Sequence, residues 1–223
     1  MLINGDYQDY IDDIIKENNN VVIITDPPFN IGYNYDIYQD IMPKKKYYSM
    51  LSSLFKKAPS VVVHYPEHLY ELAIEMREAP TKVVSWVYNA HTPREHRDIA
   101  FFRIEPDFNL IRQPYKNLND KRIQRKLADG IEGAKLYDWW NINQVKNVSN
   151  EKTAHPCQMP LEVMKNIIGI LPKDITVVDP FMGSGTTGVA CKELGREFIG
   201  IEISENYFNI AKERLQYKPS KLF

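Results

Sequence analysis

The sequence predicts an α/β fold built on one largely parallel sheet, and three observations carry that reading. Short runs rich in Val and Ile, such as Val21 to Thr25, Val61 to Tyr65 and Ile175 to Asp179, have the near-continuous apolarity of strands buried on both faces. Stretches with apolar residues at helical spacing stand between such runs, so strand and helix alternate. The first and last of these runs lead directly into Pro- or Gly-rich turns, Asp26-Pro27-Pro28-Phe29 and Asp179-Pro180-Phe181-Met182-Gly183-Ser184-Gly185-Thr186-Thr187-Gly188. A chain of 223 residues can bury a core of this kind, as one domain with an insertion or as two small domains.

Taken in order, Leu2-Ile3-Asn4 reads as a short strand that Gly5-Asp6 ends in a turn. Tyr7 to Glu17 follows as a helix with Tyr10, Ile11, Ile14 and Ile15 on one face, and Val21 to Thr25 is the next strand. Asn30 to Lys46 is polar, aromatic and without period, containing Tyr33, Tyr35 and Tyr38, and reads as a long functional loop. Tyr47 to Lys57 is a helix, Val61 to Tyr65 a strand, Pro66 to Glu78 a helix and Lys82 to Tyr88 a strand; repeated units of this type favour parallel pairing. Ile99 to Ile104 is a late strand for which antiparallel pairing is an option. Between Asn109 and Asn150 the alternation fails, and the segment reads as an insertion holding the basic run Lys121 to Lys126 and the pair Trp139-Trp140. Pro160 suits the first position of a helix carrying Leu161, Met164, Ile167, Ile168 and Leu171. Strand Ile175 to Asp179, the glycine turn, a helix to about Leu194 stopped by Gly195, and strand Glu197 to Ile203 make a βαβ unit, and Ser204 can cap a last helix.

The formal net charge of −1 gives no overall signature of a nucleic-acid binder, so any basic surface must be local. From Lys82 to Lys126 ten Lys and Arg stand against five Asp and Glu, an excess of +5, and Lys44-Lys45-Lys46 and Lys56-Lys57 add short clusters. Cys157 and Cys191 are too few for a disulfide framework and belong to no metal-like cluster, so a reducing compartment and no metal are expected. No apolar stretch approaches the roughly 18 residues of a membrane span, and Met1 to Asp6 lacks the regions of a signal peptide. The expectation is a soluble, cytoplasmic protein without a membrane contact.

Both turn motifs follow predicted strands, and open α/β sheets bind ligands at the carboxyl ends of their strands. Gly183-Ser184-Gly185-Thr186-Thr187-Gly188 matches the pattern GxGxxG, in which glycines let the backbone turn tightly beneath a ligand. In a dinucleotide enzyme these residues would face a pyrophosphate. Here Asp179-Pro180-Phe181-Met182 intervenes between strand and glycines, and the Lys of a Walker loop is missing. Glu202, 17 residues after Gly185, closes the next strand, where its carboxylate can accept both ribose hydroxyls. The two motifs together, in this order, resemble the S-adenosylmethionine-dependent DNA amino-methyltransferases of adenine N6 and cytosine N4. The order is that of the beta group, with the catalytic motif ahead of the main cofactor motif. The resemblance extends over most of the chain and is least specific between Asn109 and Asn150.

What the resemblance implies is a Rossmann-like class I methyltransferase, with a mostly parallel sheet and helices on both faces. Residues 1–108 would form its catalytic half, 109–150 a small target-recognition insertion, and 151–223 the cofactor-binding half of the same domain. S-adenosylmethionine would be held by Asp179, Phe181, Gly183, Ser184, Gly185, Thr186, Thr187 and Glu202, with Phe181 near the methionine part, where an aromatic face suits a sulfonium. Asp6 resembles the acid that contacts the cofactor's adenine amino group. His155-Pro156-Cys157-Gln158-Met159-Pro160 resembles the His-Pro-x-Gln-x-Pro segment that precedes the cofactor strand, with Cys157 and Met159 where relatives often carry Thr and Lys; His155 is then either a cofactor-pocket residue or a structural one.

An exocyclic amine is a poor nucleophile because its lone pair is delocalised into the ring. Asp26 can accept one amino proton and the Pro27 carbonyl the other, drawing the nitrogen towards tetrahedral geometry for in-line displacement without a metal. Pro27 and Pro28, with fixed φ and no N–H, favour a rigid turn with carbonyls facing inward. Phe29, where relatives often carry Tyr, would stack on a base flipped from the duplex at a cost of about a few kcal/mol. In the resembling family Asp at the first position goes with adenine N6 and Ser with cytosine N4, so Asp26 favours adenine, although Asp can physically serve either amine.

The implied partner is double-stranded DNA. Lys121, Arg122, Arg125 and Lys126 suit phosphates, while Asn117, Asn119 and Gln124 suit base edges. Trp139 and Trp140 read as packing before base stacking. So small an insertion covers few base pairs, which makes a homodimer an option, and the Tyr-rich loop either closes over the flipped base or is simply a surface loop. A nicotinamide oxidoreductase would share Gly183, Gly185 and Glu202 but leave Asp26-Pro27-Pro28-Phe29 without a role. The remaining readings are a non-catalytic DNA-binding module, an RNA substrate, and a protein amide, for which Asn usually replaces Asp26.

Overall fold

The chain alternates β1 (Leu2–Asn4), α1 (Ile11–Glu17), β2 (Val21–Thr25), α2 (Lys44–Phe55), β3 (Ser60–His64), α3 (Pro66–Met76) and β4 (Lys82–Val87), after which β5 (His96–Phe102) follows directly as a second strand. The alternation stays broken through β6 (Arg112–Gln113), α4 (Lys121–Ala128), β7 (Ala134–Lys135) and β8 (Trp139–Asn141). It resumes with α5 (Leu161–Gly169), β9 (Thr176–Asp179), α6 (Thr186–Leu194), β10 (Glu197–Glu202) and α7 (Glu205–Gln216). The computed structural model describes residues 1–90, 92–147 and 149–216. Among the described residues eight strands share one sheet in the order β1-β10-β9-β2-β3-β5-β4-β8, while β6 and β7 pair apart. Pairing in the large sheet is parallel except at β5, which runs antiparallel to both β3 and β4.

Alternate residues of the central strands serve opposite faces, as the pleat requires. Val22, Ile24, Val61 and Val63 pack into one core with Val163 and Ile167 of α5 and Ala190 and Cys191 of α6. Val21, Ile23 and Val62 enter the other core with Ile11, Ile14, Tyr47, Leu51 and Leu72 of α1 to α3. Helices therefore cover both faces, and every residue of β2 and β3 is buried. That double burial is why Val21 to Ile24 and Val61 to Val63 are continuously apolar, and each of these side chains contributes about 1.5–3 kcal/mol on leaving water.

The site is placed by the pairing of β2 with β9, in the register Val21↔Thr176, Val22↔Val177 and Ile23↔Val178. From β9 the chain proceeds through α6 to β10 on one side, and from β2 through α2 to β3 on the other. The order reverses between these two strands, so a crevice opens at their carboxyl ends, directly before Asp26 and Pro180. β1 extends the sheet beyond β10, with Leu2 opposite Gly200 and Asn4 opposite Glu202.

Several boundaries differ from the sequence reading for local reasons. Asp6 accepts from Gln8 N at 3.0 Å and starts a single 3₁₀ turn, Tyr7–Asp9, so α1 begins only at Ile11. α2 starts at Lys44 because Pro43 is its N-cap, with its carbonyl accepting from Tyr47 N at 3.1 Å. Pro160 likewise stands before α5 with extended backbone, and Leu161 N donates to Glu151 Oε2 at 3.1 Å. Ser204 caps α7 through its Oγ, which accepts from Tyr207 N at 3.3 Å.

The segment 109–150 is not wholly an excursion from the sheet. β8 pairs with β4 at the sheet edge, Trp140 opposite Trp86, and buries Trp140, whose indole N–H donates to Tyr137 O at 2.9 Å. Trp139 faces outward and stacks on Tyr137. Among the described residues no helix is long and apolar enough to cross a membrane.

Candidate active site

The crevice is a cavity of about 480 Å³, within the range of about 300–1,000 Å³ typical of small-molecule sites. Its wall takes Asp26 to Phe29 from the end of β2, Asp179 to Ser184 from the end of β9, Glu202 from β10, and Asp6 from the turn after β1. The separated motifs of the sequence thus meet because their strands are neighbours.

Asp179 is the pin between the two halves. Its buried carboxylate accepts from Thr25 Oγ1 on β2 at 2.7 Å, from Thr187 Oγ1 on α6 at 2.6 Å and from Phe181 N at 3.1 Å. Burial pushes its pKa up, against the lowering by these three donors. Glu202 is held the same way: Oε2 accepts from Gly183 N at 2.8 Å and Oε1 from Ser204 N at 2.9 Å. Burial pushes this carboxyl up as well, with the two N–H groups opposing. Each oxygen keeps acceptor capacity for a further donor, which fits the hydroxyls of a ribose.

Gly183 and Gly185 have φ of +52° and +77°, which a side chain resists. A Cβ at Gly183 would also stand 3.0 Å from His155 Nε2, and one at Gly185 2.9 Å from Ala211 Cβ of α7. Arg214 of α7, which sequence reasoning missed, braces the turn by donating from Nη1 to Ser184 O at 2.6 Å and to Ser184 Oγ and Thr186 Oγ1 at 3.1 Å. Ser184, Thr186 and Thr187 therefore spend their side chains on shaping the loop. Phe181 packs against the edge of Tyr7 at 5.0 Å, and Asp6 lines the same end of the cavity. His155 packs its ring edge-on to Tyr207 at 4.4 Å; burial, with Lys152 and Arg214, drives its pKa down to about 4.

At the other end, the Asp26-Pro27-Pro28-Phe29 turn is pegged from below. Tyr65 N donates to Nδ1 of buried His64, so Nε2 carries the proton and donates to Tyr47 Oη at 2.7 Å. Tyr47 Oη in turn donates to the Pro28 carbonyl at 2.7 Å. Burial lowers the pKa of His64 well below its ordinary value, which keeps this relay neutral. Phe29 stacks on His64 with centroids 4.2 Å apart, so its expected stacking surface for a base is at least partly in use, although it still borders the cavity.

Asp26 is mostly buried. Its Oδ2 lies 3.3 Å from Arg97 Nη1, while Oδ1 has no hydrogen-bond partner among the described residues. Burial raises its pKa to about 6; Arg97 opposes the rise and Asp179 adds to it. Arg97, on β5, was not legible as a site residue because the antiparallel placement of that strand brings it to the crevice from outside both motifs. Met159, where the resembling motif often has Lys, places only its sulfur by the same guanidinium, 3.6 Å from Nη1.

The Tyr-rich loop is fastened at its base by its own hydrogen bonds. Buried Asp40 accepts from Asn30 N at 2.7 Å and Ile31 N at 3.2 Å, and Asn30 exchanges two bonds with the backbone of Met42. Tyr33, Tyr35 and Tyr38 turn towards the cavity, and Asp36 at the tip reaches α7. By contrast Lys121, Arg122, Arg125 and Lys126 lie exposed on α4, outside the cavity, with Arg122 paired to Asp120 at 3.1 Å. No group of three or more metal-ligating side chains is present among the described residues.

A nicotinamide enzyme has no use for a buried Asp with one oxygen unsatisfied over the same cavity as Glu202. The class of protein that this fold and site define is the Rossmann-like class I methyltransferase. Within it the chain belongs to the N6/N4 DNA methylase family, whose model matches residues 21–213. The type II methyltransferase M.HpaI of Haemophilus parainfluenzae is 29% identical over 229 residues, spanning 90% of this chain and 69% of that protein. The DNA adenine methyltransferase YhdJ of Escherichia coli K12 is 26% identical over 225 residues, 87% of this chain and 75% of that protein. The crystal structure of an M1.HpyAVI-SAM complex superposes with a TM-score of 0.64 at 27% identity, covering 97% of this chain and 99% of that one.

Proposed function

We propose that this DNA methylase transfers a methyl group from S-adenosylmethionine to N6 of an adenine flipped out of double-stranded DNA. The observation that carries the reading is the unsatisfied Oδ1 of Asp26, an acceptor held at the cavity wall in a turn that Tyr47 and His64 make rigid. The cavity fits the cofactor: Glu202 retains acceptor capacity for a ribose, Asp6 for an amine, and Phe181 borders the same space. When bound, S-adenosylmethionine supplies an electrophilic methyl group on sulfur.

The chain's own contribution is position and charge. Asp26 Oδ1 accepts one amino proton and the Pro27 carbonyl the other, so the nitrogen lone pair is released from the ring and aimed inward. Two adjacent prolines hold these acceptors with little backbone freedom. The Tyr-rich loop acts as a lid that excludes water, which strengthens both bonds. Outside the cavity, Lys121, Arg125 and Lys126 of α4 present free charge for phosphates, and this segment reads the target.

The test is transfer of labelled methyl from S-adenosylmethionine to mixed-sequence duplex DNA, followed by nucleoside analysis, with Asp26→Ala in parallel. Labelled N6-methyladenine that disappears in the variant is the expected result. N4-methylcytosine would overturn the base assignment, and no transfer to DNA would overturn the substrate.

A further inference from the structure

We infer that Arg97 is a positioning residue for methyl transfer, occupying Oδ2 of Asp26 so that Oδ1 alone meets the target amine, as an ionised acceptor. The inference rests on the reading of Asp26 as that acceptor. Its basis is an asymmetry in the pair: one carboxylate oxygen lies 3.3 Å from Nη1, and the other is buried without a partner among the described residues. A carboxylate free to rotate would offer its oxygens interchangeably.

The guanidinium is itself packed among aromatic rings. Its central carbon lies 4.7 Å from the ring centroid of Phe29, 5.4 Å from that of Trp86 and 5.6 Å from that of Tyr65, distances that permit cation–π attraction. Trp86 is fully buried in β4 and fixed by its indole N–H, which donates to Ile142 O at 2.7 Å. Arg97 thus joins the base-facing aromatic of the motif to its acid, and both are held by a strand that carries neither motif.

The charge balance around Asp26 points the same way. Asp179 from β9 disfavours the anion, and Arg97 from β5 favours it. Tyr35 of the lid, Tyr47 of α2, Tyr88 beyond β4 and Cys157 before α5 also feel the Asp26 charge, and all four have pKa values raised by burial, so they stay neutral. Met159 adds no charge. An opposite charge at this range is worth about 1–3 pH units to a carboxylate. Without it, Asp26 would take up a proton near neutrality and present an O–H to an amine that is itself a donor.

The experiment compares wild type, Arg97→Met, Arg97→Lys and Asp26→Asn in single-turnover methyl transfer at saturating DNA, from about pH 5.5 to about 9.5. S-adenosylmethionine binding is measured on each. In Arg97→Met the acidic limb moves up by about 1–3 units, so the rate near pH 7 falls by about two-fold at the low end of that range and about ninety-fold at the high end, and recovers as pH rises towards about 9.5. Cofactor affinity stays at the wild-type value, and Arg97→Lys returns the limb towards its original position. A uniform loss with an unmoved limb would overturn the inference. Should Arg97→Met fail to fold, Arg97→Gln, polar and uncharged, carries the same limb test. Wild-type transfer by Asp26→Asn would instead sink the reading of Asp26, whereas an inactive Asp26→Asn beside an unmoved limb would sink the Arg97 inference alone.

Discussion

Asp36 Oδ2 accepts a hydrogen bond from Ser204 Oγ at 2.7 Å, although the two residues belong to opposite halves of the fold. Asn206 Nδ2 donates to the same oxygen at 2.9 Å. The loop that leaves the Asp-Pro-Pro turn is therefore fastened at its tip to the cap of α7, over the end of the cavity that Glu202 lines. Asp36→Ala should loosen this latch and speed cofactor release by about three- to ten-fold, as loss of two modest hydrogen bonds permits. Stopped-flow release of S-adenosylmethionine checks it; an unchanged release rate would mean the latch plays no part in exchange.

Tyr47→Phe should separate positioning from binding. It leaves the Pro28 carbonyl and the His64 N–H without their shared partner, at about 1–3 kcal/mol of stability. The methyl-transfer rate should fall while S-adenosylmethionine affinity holds, because the peg supports only the catalytic turn. Equal losses in rate and cofactor affinity would contradict that division.

Much of this architecture is legible in the residues alone. Val21 to Thr25 and Ile175 to Asp179 stand out because strands buried on both faces have no polar alternation to confuse, and the two turns follow from them. Arg97, Arg214 and the Tyr47-His64 relay stay hidden for one physical reason: each reaches the site through tertiary placement, and a lone charge in a strand or an aromatic in a helix carries no local signature. Trp140 falls in the stretch that reads as an insertion because three residues of edge strand are too short to show a period. The stack of Phe29 on His64 is hidden for the same reason as Arg97, since its partner arrives from β3.

His155 should make stability depend on pH in a defined direction. Its folded pKa of about 4 lies below the ordinary 6.5, so its contribution is fully present above pH 6.5 and is lost as pH falls towards 4. Between pH 7.5 and 5 the loss is about 2 kcal/mol. Urea unfolding of wild type and His155→Gln at both pH values tests this, the difference between the two pH values shrinking by about that amount in the variant. The raised pKa values of Asp26, Asp179 and Glu202 act in the opposite sense and cancel in the comparison.

The basic helix predicts a salt signature. Replacing Lys121, Arg125 and Lys126 by Ala should reduce the slope of log affinity against log salt by about 0.9 for each phosphate no longer neutralised. Arg122→Ala should change the slope less, since its guanidinium already pairs with Asp120. Filter binding to duplex DNA across a salt series decides between them, and equal slopes for all variants would remove α4 from the DNA path.

The pairing of β2 with β9 also constrains how the molecule comes into being. As the chain leaves the ribosome, β2 and β3 emerge early, but the partner for the other edge of β2 lies in residues 176–179. Until then β2 exposes an apolar, unpaired edge, and contacts of such long sequence separation form slowly. Synthesis must reach β9 before the sheet can close, so nascent chains arrested short of residue 176 should stay protease-sensitive and draw chaperones, and those that include β10 should not.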